Sequence, residues 1–222
     1  MHVGVWPIVE LTYRRLLRAD LVDEVVLATS VDAGDDPLAE WAFRAKCPCY
    51  RGSLENVLER FANAAQDFDA SHIVRITADC PFIDPSVVDK VLASFLCAYP
   101  YADYASNTIK RTYPRGLDVE VFTQSALIEA AANAAAFYEK EHVTPFFLEH
   151  PDKFVLLSVV GEKDFSRLRW TVDTPEDLEF VRRVVSLIPA PVEARWQDII
   201  GLLEQNHDLS VINSGVIQKP YR

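Results

Sequence analysis

Residues 73–85, with the sequence IVRITADCPFIDP, decide the fold of this chain. The apolar run from Ile73 to Ile76 predicts a buried strand, which gives way to a lone carboxylate, Asp79, before a turn at Pro81. Open α/β sheets bind their ligands where strands end. Because no basic residue follows Asp79 closely, this carboxylate is well placed to hold a divalent cation that bridges phosphates. Asp84-Pro85-Ser86 then opens an amphipathic helix.

The composition is that of a globular protein. The chain has 222 residues, of which half are hydrophobic, and this predicts a single domain over residues 1–222. The formal net charge of −11 argues against a general nucleic-acid binder and against binding to an anionic membrane. This negative charge does not exclude an anionic nucleotide as a ligand, because the positive charge of a metal bound at the site can outweigh the negative field of the whole protein.

The cysteines and the apolar segments point to the cytoplasm. Cys47-Pro48-Cys49 is a lone CxC pattern, which favours buried or incidental thiols in a reducing compartment over a metal or redox site. No apolar stretch is long enough for a transmembrane helix, and the first residues lack the basic region and cleavage site of a signal peptide. We therefore expect a cytoplasmic protein without membrane contact.

Strands and helices alternate along the chain, which predicts an α/β layered sheet with helices on both faces. Apolar runs predict strands at 25–29, 49–53, 73–77, 103–107, 119–122, 154–160 and 170–172. Periodic patterns and capping residues predict helices at 7–20, 38–45, 53–65, 85–98, 124–138, 139–149, 175–187 and 196–205, with Ser53 and Glu55 capping the third. Two of these strands end in a carboxylate, Asp79 and Asp173. If the sheet brings them together, they suit a magnesium ion that is also held by substrate phosphates.

An ordered set of motifs resembles one family. The motifs are RGSLENVLER at 51–60, IVRITADCPFIDP at 73–85, DYASN at 103–107, TYPRGLDVEVF at 112–122, EKEHVTP at 139–145 and RWTVDTPEDLE at 169–179. Together they resemble the SpsF-like cytidylyltransferases of spore coat polysaccharide biosynthesis, relatives of the CMP-KDO and acylneuraminate cytidylyltransferases. The resemblance runs from Gly4 to the C-terminus.

The resemblance implies a Rossmann-like nucleotidyltransferase fold of the GT-A type, a three-layer sandwich with a mixed, mostly parallel sheet. It also implies a Mg²⁺-dependent enzyme of surface polysaccharide biosynthesis that transfers CMP from CTP to a sugar acid. The partners it implies are CTP, the sugar acid and a second copy of the chain in a homodimer.

The resemblance also assigns site residues. Asp79 and Asp173 match the two metal-binding aspartates, and Arg51, Gly52 and Ser53 match the loop beside the nucleotide base. Arg115, which we expect to clamp the sugar carboxylate, and Asp118 are the candidate catalytic residues. The other candidate substrate-binding residues are Asn107, Tyr113, Gly116, Glu120 and His142.

Each assignment has a structural alternative. Asp79 could instead be an aspartate that bonds the backbone of its turn. Asp173 could instead be a carboxylate at a helix start, where the helix dipole stabilises it. Residues 51–53 could form an ordinary loop with a capping serine. Arg115 could pair with Asp118 or Glu120, and His142 could be a packing histidine.

One family feature is absent. Members begin with a strand and a loop like ARxGSxRLPGK that holds the triphosphate, whereas residues 3–10 of this chain resemble the segment after that loop. We therefore expect a chain that is N-terminally truncated relative to the family, lacks the first strand and has neighbouring strands with unpaired edges. Two further functions stay open for such a chain: a non-catalytic interaction module with the same fold, and a nucleotide-sugar glycosyltransferase.

Overall fold

The computed structural model describes residues 1–218, and the last four residues of the predicted domain, 219–222, lie outside the described part. The strands are β1 (His2–Val3), β2 (Trp6–Pro7), β3 (Leu27–Ser30), β4 (Cys49–Gly52), β5 (His72–Arg75), β6 (Tyr104–Ser106), β7 (Glu120–Thr123) and β8 (Leu156–Ser158). The helices are α1 (Ile8–Leu16), α2 (Asp36–Ala45), α3 (Val57–Asp67), α4 (Pro85–Ala98), α5 (Gln124–Asn133), α6 (Phe137–His142), α7 (Pro145–Glu149), α8 (Pro175–Leu187), α9 (Trp196–Gln205) and α10 (His207–Val211).

The larger sheet has four strands in the order β5-β7-β6-β8. β7 runs antiparallel to both β5 and β6, whereas β6 and β8 run parallel. β5, β6 and β8 therefore share one direction and β7 alone opposes them. A separate pair of parallel strands, β3 and β4, forms a second sheet. The predicted mixed, mostly parallel arrangement is confirmed, but within the described residues it is divided between these two sheets, and β1 and β2 form a third, antiparallel pair.

Helices cover both faces of the larger sheet. Successive residues of β7 point to opposite sides: Val121 packs in a cluster with residues of α1, α4, α8 and α9, and Phe122 packs with residues of α3, α5 and α7. Both residues are fully buried. The predicted three-layer sandwich is confirmed by this division of the core.

Helix starts follow the capping chemistry of the sequence, with one correction. Asp84 caps α4 by accepting from the Ser86 amide at 2.9 Å, and Thr174 caps α8. Ser53 and Glu55 were predicted to cap α3, but the cap is Asn56, which accepts from the Glu59 amide at 3.2 Å. The prediction was wrong because an asparagine three residues before a glutamate offers the same reciprocal capping closer to the helix.

A buried arginine ties the layers together. Arg15 is fully buried, and its guanidinium donates to the carbonyls of Ile83 at 2.6 Å and Pro191 at 2.5 Å. Burial lowers its pKa to about 10, against the opposing effect of the Asp84 carboxylate 3.6 Å away. No local sequence pattern indicates this role, because the carbonyl partners lie 68 and 176 residues away.

Three predicted elements differ in the structure, and the first is the predicted helix at 124–138, because α5 ends at Asn133 and residues 137–138 belong to α6. Residues 170–172 do not form a strand, since only a single parallel bridge pairs Arg115 with Arg169 there. The predicted helix at 139–149 divides into α6 and α7 at Val143, whose φ of 66° interrupts the helix. Among the described residues, no helix is long and apolar enough to cross a membrane.

Candidate active site

The two predicted metal aspartates lie on adjacent segments. The Val172 amide donates to the Asp79 carbonyl at 3.0 Å, and the Thr171 hydroxyl donates to the Asp79 carboxylate at 3.1 Å. Asp173 follows directly in the same segment. The fold thus places the segments of Asp79 and Asp173, which are 94 positions apart in the chain, side by side.

Arg169 holds Asp173 in place. Its guanidinium contacts Asp173 at 2.5 Å and the buried Asp177 at 2.9 Å. Burial by itself would raise the pKa of Asp177, but hydrogen bonds from Arg169 and Asn213 outweigh it and lower that pKa. Asp173 keeps 47% of its side-chain surface exposed. The Asp173 carboxylate therefore faces solvent, while the buried Asp177 carboxylate holds Arg169.

A buried thiol adjoins Asp79. Burial raises the pKa of Cys80 well above its usual value, and the negative charges of Asp79 and Asp118 raise it further. Because both carboxylates act on the same thiol, Asp118 lies near Asp79. A thiol with a raised pKa is a poor nucleophile, so Cys80 is a packing residue at this site.

The loop of the TYPRGLDVE motif packs against the Asp173 segment. The amide of Arg115 donates to Leu168 at 2.9 Å, and its carbonyl accepts from Trp170 at 2.7 Å. Gly116 follows with φ of 102°, and a Cβ there would lie 2.7 Å from the Thr171 nitrogen. Only glycine permits this approach, which brings the backbone of the predicted catalytic residue Arg115 beside the aspartates.

The carboxylates of this loop have arginine partners that the sequence analysis did not assign. Asp118 accepts two hydrogen bonds from Arg111, one of them at 2.9 Å. Glu120 pairs with Arg75 and accepts from the Tyr104 hydroxyl at 2.8 Å. The two carboxylates considered as ion-pair partners for Arg115 are therefore engaged by other arginines.

Two of the predicted substrate residues have structural contacts. Asn107 is buried; its amide donates to the Leu117 carbonyl at 2.7 Å, and its oxygen accepts from the Val119 amide at 2.9 Å. Tyr113 is also buried, accepts from Lys90 at 3.1 Å and packs against Trp196. Both buried side chains therefore support the conformation of the loop that contains the TYPRGLDVE motif.

The predicted base loop, 51–53, is only partly a loop, because Arg51 and Gly52 form the end of β4 in the smaller sheet and Ser53 follows it. Arg51 donates to the Ser30 carbonyl and pairs with Asp36, both at 2.8 Å. A Cβ on Gly52 would lie 2.9 Å from the Arg60 side chain, and Arg60 donates to the Ser53 carbonyl at 2.7 Å. His142, in α6, lies 3.9 Å from Glu141.

A cavity separates the two groups of candidate residues. We call it the strand groove: a space of about 710 Å³ between β3 and β5, walled by residues of α1, α3 and α4. The base loop adjoins β3, and the aspartate segments follow β5. The candidate site therefore consists of two parts on either side of the strand groove.

The donor set suits magnesium only together with a phosphate ligand. No group of three or more histidine, cysteine or acidic residues in the described 1–218 could hold a metal alone. Magnesium, however, is commonly held by one or two carboxylates together with substrate phosphates. Asp79 and Asp173 supply that number of carboxylates.

Several residues of the site escaped the sequence analysis. They act by orienting the predicted residues: Thr171 and Arg75 have partners 92 and 45 positions away, whereas Arg169, Asp177 and Arg111 have partners within eight positions. Arg169 and Asp177 had one available signal, since they lie in the same motif as Asp173. Arg75 lies in the opening motif, but its partner on β7 becomes visible only once the sheet is formed.

Comparison with known proteins identifies the family. The family described as cytidylyltransferase matches residues 4–215. An uncharacterized protein of Methanocaldococcus jannaschii is 32% identical over all of this chain and 90% of its own length. The spore coat polysaccharide biosynthesis protein SpsF of Bacillus subtilis is 29% identical over 84% of this chain and 77% of its own length.

Two further comparisons agree. The structure of a cytidylyltransferase from Leptospira borgpetersenii superposes with a TM-score of 0.91 at 29% identity, covering 99% of this chain and 91% of that one. The 3-deoxy-manno-octulosonate cytidylyltransferase of Geotalea daltonii is 34% identical over 39% of this chain and 34% of its own length. The chain belongs to the cytidylyltransferase family.

Proposed function

We propose that this protein transfers CMP from CTP to a sugar acid in the biosynthesis of a surface polysaccharide. The observation that carries the proposal is the hydrogen bond from Val172 to Asp79, which joins the segments of the two aspartates. The match to SpsF supports the polysaccharide pathway, and the match to a 3-deoxy-manno-octulosonate cytidylyltransferase supports a sugar acid as acceptor.

Asp79 and Asp173 are the residues that would hold Mg²⁺ at this site. When bound, the ion supplies positive charge that neutralises phosphate oxygens. Thr171 fixes the Asp79 carboxylate, and Arg169 fixes Asp173. Both carboxylates are oriented before substrate arrives, which lowers the cost of assembling the site. Because Asp173 is half-exposed, it can exchange the Arg169 contact for a ligand without unfolding its segment.

The reaction we propose is an in-line displacement. The acceptor hydroxyl attacks the α-phosphate of CTP, loses its proton as the new P–O bond forms, and pyrophosphate leaves as the old one breaks. The protein contributes positioning and charge. Arg115, on the loop that Gly116 seats against Trp170, is our candidate for the acceptor carboxylate, and Asp118, oriented by Arg111, is the other candidate catalytic group.

The remaining assignments are parts of the same proposal. Arg51, Gly52 and Ser53 would border the cytosine ring, where the glycine lets backbone approach a flat base. Asn107, Tyr113 and Glu120 would shape the acceptor pocket from behind. His142 would contact substrate or a second protomer. The homodimer and the cytoplasmic location stay predictions, and sedimentation of the purified chain tests the first.

A product assay tests the function. The chain is incubated with CTP, Mg²⁺ and a series of sugar acids, and pyrophosphate release is measured with mass spectrometry of the CMP-sugar. We expect CMP transfer to a sugar acid and a loss of about 100-fold in Asp79→Asn, because one charge at the phosphates is removed. Asp208→Asn, at an exposed position of α10, is the matched control and keeps full activity. Transfer to neutral sugars alone, or equal activity of Asp79→Asn, would contradict the proposal.

A second candidate function is a non-catalytic interaction module. The open strand edges of the strand groove favour it, because unpaired edges are templates for another polypeptide. Absence of CMP transfer with every acceptor, together with intact folding, would favour this second function.

A further inference from the structure

Arg169 joins the Asp173 segment to a later part of the chain. Its guanidinium donates through Nε and Nη2 to the two carboxylate oxygens of the buried Asp177, at 2.9 and 3.0 Å. The Nη2 group also donates to Asp173 at 2.5 Å, and the Nη1 group donates to the side-chain oxygen of Gln218 at 2.5 Å. One arginine therefore contacts a buried carboxylate, a proposed metal ligand and a residue 49 positions further along the chain.

Gln218 lies in the segment 213–218, which follows α10 and which we call the tail segment. Its first residue, Asn213, is buried. The side-chain amide of Asn213 donates to the Arg169 carbonyl at 3.0 Å and to the Asp177 carboxylate at 2.9 Å. The tail segment thus bonds Arg169 at two places, the backbone carbonyl and the guanidinium, and it also bonds the carboxylate that faces this guanidinium.

Asp177 is a fixed point for the arginine. Besides its bonds to Arg169 and Asn213, the Asp177 carboxylate accepts from the backbone amides of Asp173 and Thr174, each at 3.1 Å. Both of its oxygens are therefore engaged, and its forked pair with Arg169 is a strong and directional contact. Nη1 is the guanidinium nitrogen outside this fork, and the tail segment supplies its acceptor.

The contact between Arg169 and Asp173 competes with any cation that Asp173 binds. Arg169 donates to Oδ2 of Asp173, and this carboxylate is half-exposed, so a cation from solvent can reach it. A carboxylate in a forked pair with arginine is held more firmly than one that accepts a single bond. The number of bonds from Arg169 to Asp173 therefore sets how readily Asp173 is released.

The tail segment limits that number. A forked pair, in which Nη1 and Nη2 both donate to Asp173, needs the guanidinium to turn. The bond from Nη1 to Gln218 opposes this turn, as do the bonds of Asn213 to the Arg169 carbonyl and to the carboxylate of Asp177. The tail segment therefore favours the arrangement in which Arg169 stays with Asp177 while Asp173 leaves.

We infer that Asn213 and Gln218 are positioning residues of the candidate site. They hold Arg169 on Asp177, which leaves Asp173 free to bind the metal. Both act through Arg169 and not on the substrate. The inference rests on the proposed function, because it takes Asp173 as a metal ligand, and it adds the tail segment to the residues on which metal binding depends.

A metal-free measurement tests the hold on the arginine. Gln218→Ala removes the acceptor of Nη1 at an exposed position, so we expect an unchanged melting temperature. In a crystal structure of this variant without metal or CTP, the guanidinium is expected to turn so that Nη1 and Nη2 both donate to Asp173. Ile217→Ala, at the neighbouring position that is 89% exposed, is the matched control and is expected to keep the wild-type contacts. A guanidinium that stays in place in Gln218→Ala would overturn the inference, whatever the protein catalyses.

Binding of Mn²⁺ tests the consequence for Asp173. Mn²⁺ stands in for Mg²⁺, and the EPR signal of the free ion gives its affinity at saturating CTP. We expect Gln218→Ala to weaken Mn²⁺ binding by about tenfold, because one more charge-assisted hydrogen bond to Asp173 has to be broken. Gln218→Glu keeps an acceptor for Nη1 and is expected to bind Mn²⁺ at least as tightly as wild type. Equal affinities of wild type and Gln218→Ala, or an equal loss in both variants, would contradict the inference.

The Mg²⁺ dependence of CMP transfer separates positioning from a general structural role. In Gln218→Ala the Mg²⁺ concentration at half-maximal rate should rise about tenfold. The kcat at saturating Mg²⁺ should stay within about twofold, because the metal-bound site is the same. Asn213→Ala removes two buried bonds, so we expect the same shift together with a lower melting temperature. A fall in kcat with an unchanged Mg²⁺ requirement in Gln218→Ala would overturn the inference.

Failure of the inference and failure of the proposed function give different results. If wild type transfers CMP and binds Mn²⁺ while Gln218→Ala behaves like Ile217→Ala, the inference fails and the proposed function stands. If wild type binds no Mn²⁺ in the presence of CTP, Asp173 is not a metal ligand, and both fail.

Discussion

The aspartate segments and the strand groove differ in how their polar groups are satisfied. In the aspartate segments each charged group has a partner: Arg169 joins Asp173 and Asp177, and Arg111 joins Asp118. In the groove, as far as residues 1–218 show, one edge each of β3 and β5 is unpaired and two arginine nitrogens are buried without partners. A satisfied network stabilises one geometry, whereas unsatisfied groups in an apolar space are costly until a ligand bonds them. The difference indicates a preformed part and an incomplete part of one site.

The largest effect on this comparison is expected when a charged partner is removed from the hydrogen-bond network of the aspartate segments. Asp177→Asn removes the buried carboxylate from the network and leaves Arg169 with Asp173 and Gln218 as charged and polar partners, so we expect a loss of about 3 kcal/mol in the free energy of unfolding. Urea denaturation followed by circular dichroism measures it. A change below about 1 kcal/mol would show that this network is no more rigid than an exposed ion pair.

The close packing of the loop at Gly116 against Trp170 and Thr171 provides the second test. Gly116→Ala places a Cβ 2.7 Å from backbone atoms of Trp170 and Thr171 at a φ of 102°, so we expect a loss of about 2–3 kcal/mol. Gly201→Ala, in α9 with no atom near the added Cβ, is the matched control and should gain up to about 1 kcal/mol. Equal melting temperatures for the two variants would contradict the account of the loop.

The pH dependence of stability sharpens the comparison further. The pKa of Asp177 is lower in the folded state, so its contribution is present above the unfolded pKa of about 3.9 and is lost as the pH falls through the folded pKa. We expect the stability difference between wild type and Asp177→Asn to shrink by about 1 kcal/mol or more on going from pH 7 to the acid range. Urea titrations at a series of pH values measure it, and a constant difference would argue against the ion pair as the cause.

The smallest effect is expected at the groove. Asp69→Asn removes an exposed charge that has no role in folding, so the free energy of unfolding should change by less than about 0.5 kcal/mol. The same urea titration at neutral pH measures it. A loss as large as that of Asp177→Asn would show that the groove is part of the stabilising network and would remove the distinction between the two regions.

The sequence predicted the local elements and the strand ends well, and the long-range contacts poorly. The strand before Asp79 and the helices capped by Asp84 and Thr174 were predicted because their signals are contiguous. The extended segment at 170–172 was predicted as a strand, but hydrogen bonds to Asp79 and Arg115 replace a ladder there. The apolar pattern of residues 170–172 indicates that they are buried, but it does not indicate which segment they bond to.

The same limit applies to the site. The proximity of Asp79 and Asp173 was predicted from the rule for strand ends, while their orienting partners Thr171 and Arg169 were not. The roles of Asn107 and Tyr113 depend on loops that close over them, which no local pattern specifies. Unpaired strand edges were expected because residues 3–10 resemble the segment that follows the family's first strand, but which strands carry them became visible only in the fold.

The most direct test of the central claim, that Asp79 and Asp173 form the metal part of a CTP site, is paramagnetic line broadening by Mn²⁺ in place of Mg²⁺. The labelled chain is titrated with Mn²⁺ and CTP, in wild type and in Asp79→Asn. The account predicts broadening centred on the amides of Asp79, Val172 and Asp173 that requires CTP and is reduced about tenfold or more by the substitution. Broadening centred on other acidic residues, or equal broadening in Asp79→Asn, would contradict it.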